Sequence, residues 1–146
     1  NMVGIPGETV ETALETLEFN IKIKSDFAHC SLLNPYPRTE VEQYAKEHGY
    51  LDEKFNLESF ENSFFIDTPI KLKDKNQIIN IQRLFNLCVR FPFLYPITKK
   101  LIKLPRNFIF DTIFKIDFAG SILFIDKVSI SDFISFGIRS GGFFKK

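Results

Sequence analysis

The N-terminal third of the chain contains one local pattern twice: a short apolar run, a turn, a threonine and an amphipathic helix. In the first copy, residues 1–3 are typical of the end of a buried strand, and Gly4-Ile5-Pro6-Gly7 is typical of a sharp turn. Thr9 is a good N-cap, and apolar residues at spacings of three and four predict a helix over about residues 10–24. A strand, a turn and a capped helix together make a βα unit.

The second copy follows directly. Residues 27–33 form an apolar run suited to a buried strand, and the prolines of Asn34-Pro35-Tyr36-Pro37 make a rigid loop. Thr39 is the predicted N-cap of a helix from Glu40 to about His48, and Gly49 stands where a C′ glycine ends a helix. Two successive units of this kind imply an α/β fold with parallel strands joined by right-handed crossovers.

In such folds the loops that follow the strands carry the chemistry. Here those loops are residues 4–8 and 34–38. Side chains alternate along a strand, so His29 faces away from Cys30 and Leu32. A lumen-facing His29 would contact substrate, but we expect a core histidine with satisfied hydrogen bonds.

The pattern changes beyond residue 51 and divides the chain into three parts. Residues 1–51 hold the two βα units, residues 52–74 are polar and irregular and predict a linker, and residues 75–146 predict a helical C-terminal subdomain. One helical turn is expected in the linker near Leu57–Phe60. Helical spacing runs from Lys75 up to Pro92, a second helical stretch covers about residues 94–104, and further apolar segments follow at 107–118 and 128–138.

Charge and cysteine content exclude several classes of protein. The formal net charge is +1, and without an RNA-binding motif the lysines are expected to be solvated, so no nucleic-acid partner is predicted. Cys30 and Cys88 are expected to be small buried hydrophobic residues, and no metal ligands are predicted. Residues 1–20 lack the features of a secretory signal, which favours a cytoplasmic protein.

The two loops carry a resemblance to a known family. Asn-Met-Val-Gly-Ile-Pro-Gly-Glu-Thr at 1–9 and Asn-Pro-Tyr-Pro-Arg-Thr at 34–39 resemble the late barrel units of radical S-adenosylmethionine (SAM) enzymes. The likeness is strongest to the cobalamin-binding branch, which includes anaerobic magnesium-protoporphyrin monomethyl ester cyclase-like proteins. It covers residues 1–50 and extends more loosely through residues 84–104.

The resemblance implies a fold and a cofactor site. The fold would be the last two βα units of a partial (β/α) TIM-type radical SAM barrel, followed by a mainly helical C-terminal extension. Met2 and Gly4 would pack on the adenine of S-adenosylmethionine, and the sixth strand would lend it backbone groups, which places Leu32, Leu33 and Asn34 near the adenine. Arg38 stands where many family members have glycine. The residues implied to bind the cofactor are Met2, Gly4, Glu8, Leu32, Leu33 and Asn34.

The sequence lacks the C-x-x-x-C-x-x-C loop that holds the family's four-iron four-sulfur cluster. We therefore expect a C-terminal fragment, or a degenerate homologue, without catalytic residues of its own. The cluster and cobalamin would belong to the parent enzyme, which the resemblance implies performs methyl transfer or related radical chemistry. The fragment's partner would be the missing N-terminal part of the same protein, and the parent's substrate would be an unidentified small or lipid-like molecule.

Three alternatives remain open at the level of sequence. The glycines of the first loop can serve turn geometry alone, with Glu8 favouring the helix dipole or forming a hydrogen bond that supports the site, in preference to acting as a general base. The chain can be a standalone α/β–helical interaction module that binds a partner through an exposed strand edge or its Phe-rich helices. Those helices can also lie on a membrane surface, as a peripheral contact with lysines at its edge. Because two parallel strands expose unpaired edges, we expect the isolated chain to be oligomeric or poorly soluble.

Overall fold

The computed structural model describes residues 1–56 and 65–125, together with residues 129, 131 and 135. Within these residues the protein is mostly helical and contains a two-stranded parallel sheet. A short 3₁₀ turn at Pro92–Leu94 precedes the fourth helix. The elements, in chain order, are β1 (Met2–Val3), α1 (Val10–Lys22), β2 (Ser31–Leu32), α2 (Glu40–Glu47), α3 (Lys75–Arg90), α4 (Tyr95–Leu101) and α5 (Phe108–Ile125).

The two strands pair in parallel, as the repeated pattern predicts. Met2 is paired with Ser31, and Val3 with Leu32. The N–H of Leu33 donates to the carbonyl of Val3 at 2.8 Å, which extends the pairing by one residue. The second strand is shorter than the predicted residues 27–33, although the carbonyl of His29 and the N–H of Ser31 still bond to the main chain of Asn1.

Threonine caps begin α1 and α2, as predicted. The hydroxyl of Thr9 accepts a hydrogen bond from the N–H of Thr12, and that of Thr39 accepts one from Glu42, each at 3.3 Å. Such a cap satisfies one of the N–H groups that a helix start leaves unpaired. Gly49 follows α2 with φ of +74°, the left-handed conformation expected of a C′ glycine.

Helix α3 forms the centre of the main core. Eleven of its 16 residues are buried, and it contacts α1, α4, α5 and β2. Val3 and Leu32 from the sheet pack in the same cluster as Leu17 of α1 and Phe85 of α3. Burying one such large apolar side chain stabilises a fold by about 1.5–3 kcal/mol. The βα units and the helical C-terminal part therefore share one hydrophobic core.

A second, smaller cluster lies around α2. It contains Leu33, Ala45, Leu51, Phe55 and Ile70. Residues 52–56 and 65–74 form no helix or strand, yet Ile70 is completely buried and joins this part of the linker to the second βα unit.

The remaining helices differ from their predicted bounds. Helix α4 is shorter than the predicted 94–104, whereas α5 continues past residue 118 to Ile125. Among the described residues, no helix is both long and apolar enough to cross a membrane. The helical turn expected near Leu57–Phe60 lies outside the described residues, as does most of the predicted segment 128–138.

The prediction of a core position for His29 is wrong. Its neighbours Ala28 and Cys30 are buried, as alternation requires, but His29 itself is exposed. Its ring meets the ring of Phe118 edge-on, with the centroids 5.4 Å apart. The predicted alternation of side chains along the strand is confirmed. However, the face of the sheet that carries Met2 and His29 is largely uncovered by the described residues.

Candidate functional site

The structure brings the two predicted loops together. The strands are parallel neighbours, so both loops leave the same edge of the sheet. A Cβ atom added to Gly4 would lie 3.7 Å from the main-chain nitrogen of Leu33. We call the meeting point of loops 4–8 and 34–38 the loop junction.

Glu8 shapes the first loop of the junction. Its carboxylate accepts hydrogen bonds from the N–H of Gly4 and, at 3.2 Å, from the N–H of Ile5. Gly4 has φ of +84°, a conformation that favours glycine because a Cβ atom is strained there. Burial raises the pKa of the Glu8 carboxyl, although the two N–H donors act in the opposite direction. Glu8 thus holds the loop by hydrogen bonds with its main chain.

The second loop is closed in the same way by Glu42. The N–H of Arg38 donates to its carboxylate at 2.7 Å, and the ammonium of Lys46 lies 2.7 Å from the other oxygen. Lys46 and then the N–H of Arg38 lower the pKa of Glu42. Arg38 has φ of +69°, so it occupies a left-handed conformation without being glycine.

The six residues implied to bind the cofactor have different surroundings. Met2 is 46% exposed, while Gly4, Leu33 and Asn34 are buried. The side chain of Leu32 belongs to the main core and is therefore not available to a ligand. Gly4 and Leu33 are neighbours at the junction, whereas Glu8 acts on the loop main chain.

Residues 67–72, which we call the cover segment, lie over the junction. The hydroxyl of Thr68 donates to the carbonyl of Leu33, and its Cγ2 would be 3.7 Å from a Cβ on Gly4. Leu72 approaches the same point, also at 3.7 Å. A ligand could reach the carbonyl of Leu33 only if the cover segment moved.

Sequence reasoning missed Thr68, because it placed this residue in a polar linker. The one local signal is its position between the apolar residues Ile66 and Ile70. Lys75 fixes the segment from the other side, since its ammonium lies 2.8 Å from Asp67 and donates to the carbonyl of Thr68.

The outer edge of β2 is occupied by side chains of α3. The N–H of Ala28 donates to Oδ1 of Asn86 at 2.8 Å, and Nε2 of Gln82 donates to the carbonyl of Cys30 at 3.0 Å. These main-chain groups point away from β1, where a further strand would otherwise pair. Helix α3 therefore covers this edge of the sheet.

The outer edge of β1 is open. In the observed register the main-chain groups of Asn1 and Val3 face β2, which leaves those of Met2 facing outward. Neither the N–H nor the carbonyl of Met2 has a hydrogen-bond partner among residues 1–56 and 65–125. An unpaired edge of this kind is a template for another strand.

A shallow open groove borders the first loop. It is lined by Ile5, Pro6, Gly7 and Glu8 of the loop, and by residues of the outward face of α1. The charged residues that line it are both acidic, Glu8 and Glu15. This polarity does not suit a phosphate group.

The two cysteines have no exposed thiol. Cys30 and Cys88 are free and buried, which confirms their interpretation as small hydrophobic residues. Burial raises the pKa of the Cys30 thiol to about 12, so its reactive thiolate form is disfavoured at neutral pH. In the part of the chain that the structure describes, no group of three or more histidine, cysteine or acidic residues could hold a metal ion.

Comparisons of this chain with protein-family models, with curated proteins and with solved structures give no match. The loop junction and the two outer edges of the sheet are therefore the features of the molecule that bear on its function.

Proposed function

We propose that this chain supplies the last two βα units of a radical SAM barrel of the cobalamin-binding branch. Its loop junction would form one wall of the adenine pocket, and the parent enzyme would bind the cluster and cobalamin. The observation that carries the proposal is the difference between the two outer edges of the sheet: Gln82 and Asn86 cover one, while Met2 leaves the other open.

This difference is what the end of an open barrel requires. The last strand needs an outer edge that accepts no further strand, since unpaired main-chain groups invite association. The strand before it needs a free edge for the preceding barrel strand. Here β2 fits the first role and β1 fits the second.

At the junction, each element has a specific part in adenine binding. Gly4 has no side chain, so a flat ring could pack closely against it once Thr68 and Leu72 of the cover segment move away. The carbonyl of Leu33, which accepts from Thr68, and the residue Asn34 would offer polar groups to the ring edge once Thr68 moves away. Met2 would pack on the ring from the open face, and Glu8 keeps the loop in shape.

The chain itself provides a direct test. We expect 5′-deoxyadenosine, but not methionine, to shift the NMR signals of the Gly4, Leu33 and Asn34 amides in the labelled protein. Gly4→Ala should remove these shifts, because the added Cβ strains the loop at positive φ and would stand between the main chain and a ring that had displaced Thr68 and Leu72. Gly49→Ala is the matched control, since Gly49 also has positive φ but no atom within 4 Å of an added Cβ.

Two results would contradict the proposal. One is a folded wild-type protein whose junction amides do not respond to 5′-deoxyadenosine. The other is an equal loss of response in Gly4→Ala and Gly49→Ala, which would trace the effect to backbone strain alone.

The gene provides an independent test. A coding sequence in frame ahead of Asn1 should encode a C-x-x-x-C-x-x-C loop, and the longer product should bind iron and SAM after anaerobic reconstitution. A start codon at Met2 with no reading frame ahead of it would overturn the fragment hypothesis.

A second candidate function is a non-catalytic interaction module, which one specific observation favours. The cover segment already closes the junction, because Thr68 bonds to the carbonyl of Leu33, while the edge of β1 stays open. A partner strand would then pair with the main chain of Met2. In that case 5′-deoxyadenosine causes no shifts at the junction. Met2→Pro, which removes the outward N–H, should still weaken strand association in sedimentation experiments, whereas Met2→Leu should not.

A further inference from the structure

The surface around α4 combines exposed apolar side chains with basic ones. Phe93, Ile97 and Leu104 are 73%, 52% and 48% exposed, and Lys100 is exposed between them in sequence. Ile97 and Lys100 are three residues apart on α4, Phe93 lies in the 3₁₀ turn that precedes the helix, and Leu104 follows the end of the helix. We call these four residues the α4 stripe.

The opposite side of α4 is fixed to the core. Thr98 and Ile102 are buried, and the side-chain amide of Asn80 donates to the carbonyls of Ile102 and Leu104 at 3.0 and 2.8 Å. The hydroxyl of Tyr95 donates to the carboxylate of Glu18 on α1. Because these contacts determine which side faces inward, the stripe is held outward by the fold.

The charge around the stripe has one sign. Residues 90–106 contain five basic residues and no acidic one. Arg90, Lys99 and Arg106 have acidic partners at 3.3, 3.5 and 3.6 Å. Lys100 and Lys103 have no acidic partner within the described ranges, so their charges are available to an external anion.

We propose that the α4 stripe binds the surface of an anionic lipid bilayer. Phe93 and Ile97 would enter the boundary between headgroups and acyl chains, and Lys100 and Lys103 would lie near the lipid phosphates. A helix that presents apolar side chains together with lysines matches this interface, and an anionic leaflet attracts such lysines. Exposed side chains on α4 and on the turns at its two ends also fit a plane better than they enclose a small ligand. This inference is independent of the proposed radical SAM function.

Vesicle flotation of the full chain tests the proposal. The protein should float with vesicles of phosphatidylcholine and phosphatidylserine, and should not float with phosphatidylcholine alone. Lys100→Gln/Lys103→Gln should weaken binding about tenfold or more, because each lysine contributes near an anionic surface. Phe93→Ser/Ile97→Ser should weaken it by a similar factor, of about tenfold, through loss of inserted apolar area.

Matched controls distinguish binding through the α4 stripe from non-specific adsorption of the protein to vesicles. Phe19→Ser removes an aromatic side chain of comparable exposure from α1, and Lys71→Gln/Lys73→Gln removes the same charge from another exposed surface. Both controls should bind like the wild type.

Tryptophan fluorescence gives a second readout. The sequence contains no tryptophan, so Phe93→Trp introduces a single probe. Its emission should shift to the blue with mixed vesicles and should be quenched by brominated lipids. Absence of both effects, equal binding to neutral vesicles, or equal loss in the control variants would overturn the proposal. A stripe that instead mediates self-association, with Phe93→Ser making monomers and no vesicle binding at all, would overturn it too.

Discussion

The two βα units use the same local chemistry but occupy different positions in the sheet. In each, a threonine caps the helix and a carboxylate accepts a hydrogen bond from the loop N–H four residues before it: Gly4 to Glu8, and Arg38 to Glu42. The outer edge of the second unit is covered by α3, whereas that of the first is open. Local sequence thus determines the structure of each unit, whereas a distant helix, α3, determines which outer edge of the sheet is covered.

The largest expected effect comes from uncovering the edge of β2. Asn86→Leu should lower the free energy of unfolding by about 2–3 kcal/mol, because the N–H of Ala28 loses its buried partner. The same substitution also removes the hydrogen bond from Asn86 to Asp117. Urea denaturation measures the change. Asn76→Leu, on the exposed side of the same helix, is the control, and an equal loss there would show that α3 does not act through this edge.

The next effect concerns the turn of the first unit. Gly4→Ala should destabilise the fold by about 1–2 kcal/mol, since an alanine at φ of +84° brings its Cβ too close to the following carbonyl. The surrounding space is sufficient, because the nearest atoms are at 3.7 Å. Thermal unfolding monitored by circular dichroism checks this expectation, and an unchanged midpoint would show that the turn relaxes to negative φ.

The corresponding position of the second unit should respond in the opposite direction. Arg38→Gly should stabilise the protein by up to about 1 kcal/mol, because it removes the strain of a non-glycine residue at φ of +69°. The entropy that glycine adds to the unfolded chain limits the gain. A decrease in urea stability would mean that the Arg38 side chain makes a compensating contact.

The smallest effect is a pH dependence of opposite sign in the two loops. The pKa of Glu8 is raised in the fold, so its contribution to stability is present at low pH and is lost as pH rises through the folded pKa. The pKa of Glu42 is lowered in the fold. Its contribution to stability is therefore present at pH values above the pKa of an unfolded glutamate, and it is lost as pH falls through the folded pKa. Relative to the wild type, Glu8→Gln should gain stability between acidic and neutral pH, and Glu42→Gln should lose it. Parallel curves for the two variants would contradict this difference.

The sequence predicted the local elements well because their causes are local. Thr9 and Thr39 cap the helices that they were expected to cap, and apolar spacing placed the first turn of α3 at Lys75. Helix α5 extends beyond the predicted segment 107–118 and continues through Gly120 and Ser121. The hydroxyl of Ser121 bonds to the carbonyl of Asp117, within the helix.

The sequence could not predict how distant residues meet. In the sequence, Gln82 and Asn86 are polar residues of an amphipathic helix. In the structure both are buried: Gln82 bonds to the main chain 52 residues earlier and Asn86 to the main chain 58 residues earlier. Thr68 reads as part of a linker but bonds to Leu33 across 35 residues. The loop junction was therefore predicted, whereas its cover and the closed edge of β2 were not. The radical SAM function and the barrel stay predictions that the experiments above address.

The cover of β2 by α3 also sets an order of events during synthesis. Asn86 is translated 58 residues after Ala28, the residue whose N–H it accepts. At about 5–20 residues per second, the ribosome needs several seconds to cover that distance. During that interval the nascent βα units have no helix with which to close the edge of β2. If the two strands pair before α3 is synthesised, both outer edges of the sheet are unpaired until then, and a chaperone that binds strand edges would protect the chain during that interval.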